Sequence, residues 1–342
     1  MYYMEERERS NGLIPVITAV IIYGCLLTLL NLGFTLIYEA HKAPNFGQTA
    51  LMGFGMLLIL VFSRGLGLSP YLGLPMSALL GGALSYLLYR CSIRPLVSRS
   101  SSPLSLAIAM LSHQIILIGV LGVISWWLWE SSHGFLLHPA VSRRVWDTGI
   151  TYLQSVFYEY RFILGGEDVE VLGLRLILLM SLLIAFGSTL LVELMLRHGD
   201  FGVALRAASE NPELAMVVGL NPYRVQGLIW MLAGCLSAIA GALYPLWFCS
   251  YPTLTPLRMM NSLLAAGLLS GFGPPLSALA SSFIVSVLEL LIPGLLFYPL
   301  GVEWIGEYRP LIPILIIAVV LLLRSRGAPG WGVSPHSVEG DL

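Results

Sequence analysis

Apolar residues in this chain come in long runs separated by short polar joints, and the runs are too uniform for the half-buried faces of a soluble fold. A bilayer core of about 30 Å is crossed by roughly 20 apolar residues in helix. Runs of that kind occupy residues 13–38, 46–63, 71–91, 104–128, 171–196 and 225–249. Residues 258–270 are apolar but too short to span, and the turn Gly271-Phe272-Gly273-Pro274-Pro275 follows. A further run fills 276–292, and the last fills about 308–323. Nine runs are present in all, or eight crossings if the broken one re-enters. The expected fold is therefore all-α: a polytopic membrane helix bundle of eight to nine hydrophobic segments, some of them discontinuous. Residues 13–326 read as one transmembrane domain, between a tail at 1–12 and a loop-like tail at 327–342.

The polar joints carry the orientation. Arg90, Arg94 and Arg99 follow the third run, Arg197 and Arg206 the fifth, and Arg324 and Arg326 the last. The positive-inside rule makes the side they share cytoplasmic. Residues 130–170 then lie outside. Arg143, Arg144 and Arg161 are mixed there with acidic residues, and long loops follow the rule poorly. The aromatics Trp126, Trp127, Trp129, Trp146, Tyr152, Phe157, Tyr158 and Tyr160 suit either a helix lying on the membrane surface or a partly ordered loop.

Composition sharpens this. Only 11% of residues are charged and the mean hydropathy is +0.83, whereas soluble domains carry about a quarter charged residues. A net charge of -1 and a single lysine, Lys42, exclude a nucleic-acid partner. Membrane lipid is the surrounding phase. The start MYYMEERERS lacks a small-residue cleavage site after its apolar run, so the first span reads as retained rather than as a signal peptide. Cys25, Cys91, Cys235 and Cys249 lack metal-ligand spacing and read as packing residues, so no metal is expected.

Four features bear on chemistry. First, residues 197–223 are charged and sit between two long spans, so they project into water. Asp200, or Asn211 before Pro212, suits a helix N-cap; with Asn211 the peg runs Pro212 to Val218 and stops at Gly219. Second, the following helix has Gly234, Ala238 and Ala242 on one face beside Ser237 and Gly241, spacing that lets membrane helices approach closely. Third, helix breaks are expected at Asn45–Thr49 and Gly267–Pro275. Broken helices are tolerated only inside protein or along a cavity; they either serve packing or expose Asn45, Gln48, Thr49, Gly267, Ser270, Gly271 and Gly273 to a solute. Fourth, His113-Gln114 lies mid-span, where a histidine satisfied by a neighbouring helix is the expectation and proton relay the alternative. Glu193 and Glu289 lie near run ends, where snorkelling or paired carboxylates are expected. Glu39 and His41 are junctional. No phosphate-cradling Gly-Lys-Ser/Thr, HExxH or GxSxG is present, so no catalytic residue, cofactor or ATP site is expected in the chain itself.

The text ENPELAMVVGLNPYRV, followed by AG and a second AG, resembles the cytoplasmic coupling loop of branched-chain amino-acid ABC importer permeases of the LivH/LivM type. NFGQTALMGFG, Arg94-Pro95-Leu96, AAGLLSGFG and the closing LLLRSRG resemble that family in the right order over roughly 25–327, with 130–170 outside the resemblance. Pro274-Pro275 departs from its small residues. The resemblance implies a permease subunit importing branched-chain amino acids or a related small polar solute such as urea or an amide. It implies a second permease subunit, two ATP-binding subunits and an extracellular solute-binding protein as partners, and a multi-pass place in the cell membrane. Contact with the ATPase would fall to Arg206, Glu210, Asn211, Pro212, Glu213 and Gly219. An ion-coupled secondary transporter or a solute channel is the alternative, to be favoured by intramembrane carboxylates facing a cavity.

Overall fold

The computed structural model describes residues 13–99, 102–132, 138–139, 160–165, 168, 170–171, 174–294 and 309–325. Twelve helices follow one another among them. They are α1 (Leu13–His41), α2 (Gln48–Leu60), α3 (Gly73–Leu88), α4 (Arg94–Val97), α5 (Pro103–Ser131) and α6 (Leu176–His198). Then come α7 (Asp200–Glu210), α8 (Pro212–Val217), α9 (Pro222–Leu243), α10 (Leu254–Ser270), α11 (Pro275–Ser286) and α12 (Leu311–Ser325). Five-residue π-helical turns prolong α2 over Val61–Gly65, α3 over Tyr89–Ile93 and α11 over Val287–Leu291. Seven helices are long and apolar enough to cross a membrane; α12 is a shorter apolar helix and α10 has only 17 residues. The nine runs expected from the sequence are these nine helices. The 130–170 segment, expected to be either a surface helix or a partly ordered loop, falls mainly outside the described residues. Its described residues include a two-residue antiparallel pairing, His138–Pro139 with Tyr160–Arg161.

Named contacts set the direction of each helix. Gln48 of α2 meets Ala233 and Ser237 of α9, and Gly55 meets Ala238 further on, so these two run parallel. In α3, Gly81 meets Ala238, Ser85 reaches Trp230 and Tyr89 reaches Tyr223, so α3 is antiparallel to α9. The Arg94 guanidinium, at the start of α4, lies over the Tyr223 ring. Asn31 of α1 meets Ala278, Gly24 meets Phe283 and Val20 meets Ser286, so α1 and α11 are antiparallel. One end of the bundle therefore collects the close of α1, α3 and α6, all of α7 and α8, and the start of α9. We call it the arginine end, because Arg90, Arg94, Arg197, Arg206 and Arg224 lie there. The far end holds Arg64, which donates to the Ile163 carbonyl (2.7 Å), and the Phe162–Ser250 bridge.

Helix α9 is the hub. Small residues let it lie against α2 and α3 at backbone contact, where a Cβ would overlap a neighbour. Gly241 abuts the Met52 carbonyl, Gly55 the Ala238 carbonyl, and Gly234 abuts Ser85. The expected stripe is thus an interface on two sides. In lipid such fit replaces the hydrophobic drive between helices. Helix α1 is also interior: Leu26, Leu27, Leu29, Leu30 and Leu32 are fully buried. A helix apolar all round suits a central position. The outward faces of α3, α5, α6 and α12 are lined by Leu, Ile, Val, Phe and Trp, as a lipid boundary requires.

Candidate functional site

The segment between α6 and α9 folds into two helices where the sequence suggested one peg. Asn211 caps the second, α8, accepting from the Leu214 N–H at 2.9 Å, with Pro212 in the first turn. The helix stops through a bond from Leu220 N to Ala215 O (3.0 Å), with Gly219 left-handed at φ +86°. That closure needs glycine, because a Cβ disfavours this conformation. Asp200 begins the first helix, α7, without a side-chain cap.

Helix α7 is fastened to the bundle. Gly202, Leu205 and Ala208 are buried on one face, and Gly202 lies against the Leu196 carbonyl closely enough to leave no room for a Cβ. Arg206 donates to that same carbonyl (3.3 Å), and Arg197 pairs with Glu193 one turn back in α6. Helix α8 projects. Glu210, Asn211, Pro212, Glu213 and Gly219 are exposed, but so are Leu214, Met216, Val217 and Val218. Val217 is 82% exposed. Leu214, Val217 and Val218 share one side of the helix by their spacing. Sequence reasoning chose the polar residues here and missed this apolar tip. The signal was available in the LAMVV run, inside a segment already placed in water by its charges.

The break between α1 and α2 lies directly behind this segment. The Asn45 side chain accepts from the Gly47 N–H and donates to Gln48 Oε1 (3.1 Å each). Gln48 Nε2 donates to the Ala233 carbonyl (3.0 Å) and to Ser237 Oγ (2.5 Å). The amide lies across Gly33 of α1, where any Cβ would collide with it. One side chain thus holds α1, α2 and α9 together. Thr49 sits beside Met260 of α10 (Oγ1 to Sδ 3.9 Å) and accepts from Gln114 of α5 at 3.5 Å. Asn45, Gln48 and Thr49 are buried, so a solute would reach them only after the helices move. Replacing Gln48 by leucine should strand the buried Asn45 Nδ2 donor and remove the side-chain bonds to Ser237 and the Ala233 carbonyl. A loss of about 1–3 kcal/mol is expected for such groups, read as a lower melting midpoint of the purified protein. An unchanged midpoint would count against this bridge.

The second break is a turn. Helix α10 runs through Gly267 and ends at Ser270, and Gly271 (φ 67°) and Phe272 (φ 52°) are both left-handed. Left-handed phenylalanine is costly. It is held by stacking on Tyr38 at 3.8 Å between ring centroids and by contact with Phe34. Gly267 is buried against Phe34, while Ser270, Gly271 and Gly273 are partly open. The two sets of break residues are not brought into one cluster. They sit at the start of α2 and the end of α10, and Thr49 of the first set meets α10 at Met260, ten residues before Ser270.

Of the buried titratable groups, Glu289 and His41 are held by side-chain hydrogen bonds and His113 is not. Glu289 accepts from Tyr23 Oη (3.0 Å), Ser262 Oγ (2.7 Å) and Arg309 Nε (3.0 Å), and the Arg309 guanidinium lies over the Tyr23 ring. His41 Nε2 accepts from Trp230 Nε1 (2.9 Å), with Tyr89 beside them. His113 lies edge-on to Trp230, and its Nδ1 has no partner among the described residues. No cluster of three metal-ligating side chains occurs among the described residues.

Comparison with known proteins places this architecture. The profile of a family described as "Branched-chain amino acid transport system / permease component" matches residues 16–322. The probable branched-chain amino acid transport permease LivH of Methanocaldococcus jannaschii is 29% identical over 315 residues, 92% of each chain. The high-affinity branched-chain amino acid permease LivH of Salmonella typhimurium is 22% identical over 90% of this chain and 92% of its own. The nucleoside ABC transporter permease NupC of Lactococcus lactis is 25% identical over 36% of this chain and 39% of its own. No solved structure matches the chain. Such permeases are transporter subunits rather than enzymes, and they work within complexes that contain other subunits. With seven helices among the described residues long and apolar enough to cross a membrane, this is a multi-pass protein of the cell membrane. The chain belongs to the branched-chain amino acid transport system permease family.

Proposed function

We propose that the protein is the membrane-spanning subunit of an ABC importer for branched-chain amino acids, driven by a separate ATPase through the α7–α8 segment. One observation carries this: a capped, projecting helix with an apolar tip, welded through α7 to the helices that form the break. A push on Leu214, Val217 and Val218 passes through the Gly202 contact to α6, and through the direct packing of α7 on α1 and α9. From α9 it reaches α2 through Gln48. Partners in this reading are a second permease subunit, two ATP-binding subunits and an extracellular solute-binding protein. The arginine end faces the cytoplasm, by the positive-inside rule, and residues 130–170 face outside. The solute passes the Asn45–Thr49 and Gly267–Gly273 breaks when the bundle opens. ATP supplies the difference in free energy between the two states.

Among the described residues the two buried carboxylates each lie beside an arginine, Glu289 with Arg309 and Glu193 with Arg197, which disfavours an ion-coupled carrier. The test is Val217→Asp in the assembled importer. An exposed tip makes this change harmless to folding, so normal membrane level is expected with solute-stimulated ATP hydrolysis and uptake at least tenfold lower. Wild-type uptake in the variant would defeat the assignment of α8 as the contact.

A further inference from the structure

Away from their ends, the outward faces of α3, α5, α6, α9, α11 and α12 are apolar but for Ser112 and the partly open Ser188, each of which bonds a carbonyl of its own helix. Helix α10 is the exception. One turn inside its far-end start it exposes Arg258, and Asn261 follows one turn deeper on a partly open stripe with Leu257, Leu264 and Leu268. Neither polar side chain makes a hydrogen bond or ion pair to a described residue. The opposite face of α10 is closed: Thr255, Pro256, Met259, Met260, Ser262 and Leu263 are buried. Charged side chains within membrane segments almost always face a protein interior or a water-filled cavity. An arginine beside a polar amide on an otherwise apolar protein surface therefore points to water or to an anion, not to lipid tails.

We infer that Arg258 with Asn261 is an anion-binding station on the solute route, taking the carboxylate of a zwitterionic solute as it enters from the far end. The assignment of that carboxylate to an amino acid rests on the importer reading above; the anion preference does not. The chemistry fits, because a guanidinium presents two parallel N–H donors that match a carboxylate in a planar fork. The amide next to it adds a donor for the same anion or an acceptor for the ammonium group. Position fits as well. The stripe starts at the far end, and α10 ends at the Ser270–Gly273 turn, so the station would hold the solute before the break opens. A lipid phosphate offers a guanidinium the same fork, and the test must separate the two.

The experiment uses the assembled importer with Cys25, Cys91, Cys235 and Cys249 replaced, and Asn261→Cys as reporter. In proteoliposomes without anionic lipid, an anionic methanethiosulfonate should label Cys at 261 about tenfold faster than a cationic one, and Arg258→Gln should abolish that preference. Leucine should slow the labelling, and leucinamide, which lacks the carboxylate, should not. Arg258→Gln should also lower uptake at least tenfold, with Arg258→Lys retaining part of it and both variants assembling normally. Equal rates for the two reagents, or no labelling by either, would overturn the station. A preference that appears only with phosphatidylglycerol present would mean that lipid phosphate, not solute, occupies it, and would overturn the solute assignment. Anion preference without protection by leucine would leave the station standing and defeat the amino-acid reading.

Discussion

Gly241→Leu is expected to leave almost no folded protein, whereas the same change at Gly187 is tolerated. The difference lies in what a side chain would meet. At Gly241 the first carbon already overlaps the Met52 carbonyl, a backbone atom of α2 that no rotamer change can move. Helix α2 is itself pinned on its other sides by Gly53 against Pro252 and Pro256, so it cannot slide away. At Gly187, on the outward face of α6, a Cβ meets nothing within 4 Å. Overpacking a well-filled core costs roughly 1–3 kcal/mol when side chains can yield, and a backbone collision in a hub helix should exceed that range. Size-exclusion of tagged protein in detergent, with melting midpoints for whatever is recovered, gives the readout. A monodisperse Gly241→Leu protein melting within a few degrees of the parent would show that α9 and α2 are not held as described.

The second large effect concerns the Glu289 network. Arg309→Met removes the cation and strands a carboxylate that is 5% exposed among α1, α10 and α11. Breaking one partner out of a buried pair costs about 3–5 kcal/mol, and Arg309, whose side chain keeps 32% exposure, should fall toward the lower end of that range. The double variant Glu289→Leu with Arg309→Met should recover most of the loss. It removes both charges, and Tyr23 and Ser262 still bond each other at 3.1 Å. Melting midpoints of the two single variants and the double complete the cycle. Additive losses would mean that Arg309 and Glu289 do not depend on each other.

How much of this was legible in the sequence depended on whether a signal was local. Every membrane helix was marked by its apolar run, and ends set by local chemistry were marked too: the Asn211 cap and the Gly219 stop both lie where their residue types demand. The small-residue stripe predicted close packing but not its partners, because spacing on one helix carries no information about the helix opposite. Gln48 was legible only as a polar residue near a break. That its amide bridges three helices follows from Gly33, fifteen residues earlier, and Ala233, far later in the chain. Glu289 was expected to snorkel or to be paired, yet Arg309 lies twenty residues on, a separation that no periodicity links to it. The apolar tip of α8 was missed for a different reason: the charges, the cap and the stop placed the segment in water, and the contact was then assigned to its polar residues alone.

The hub position of α9 has a consequence for how the protein is made. Its binding faces on α2 and α3 are complete once Leu88 has been synthesised, but α9 begins only at Pro222. At about 5–20 residues per second, the ribosome needs on the order of ten seconds to cover that interval. For that time the first three helices share the bilayer with glycine-lined grooves that fit nothing yet translated. A nascent chain arrested before Pro222 should accordingly be a target for membrane quality control, and one arrested beyond Leu246 should not.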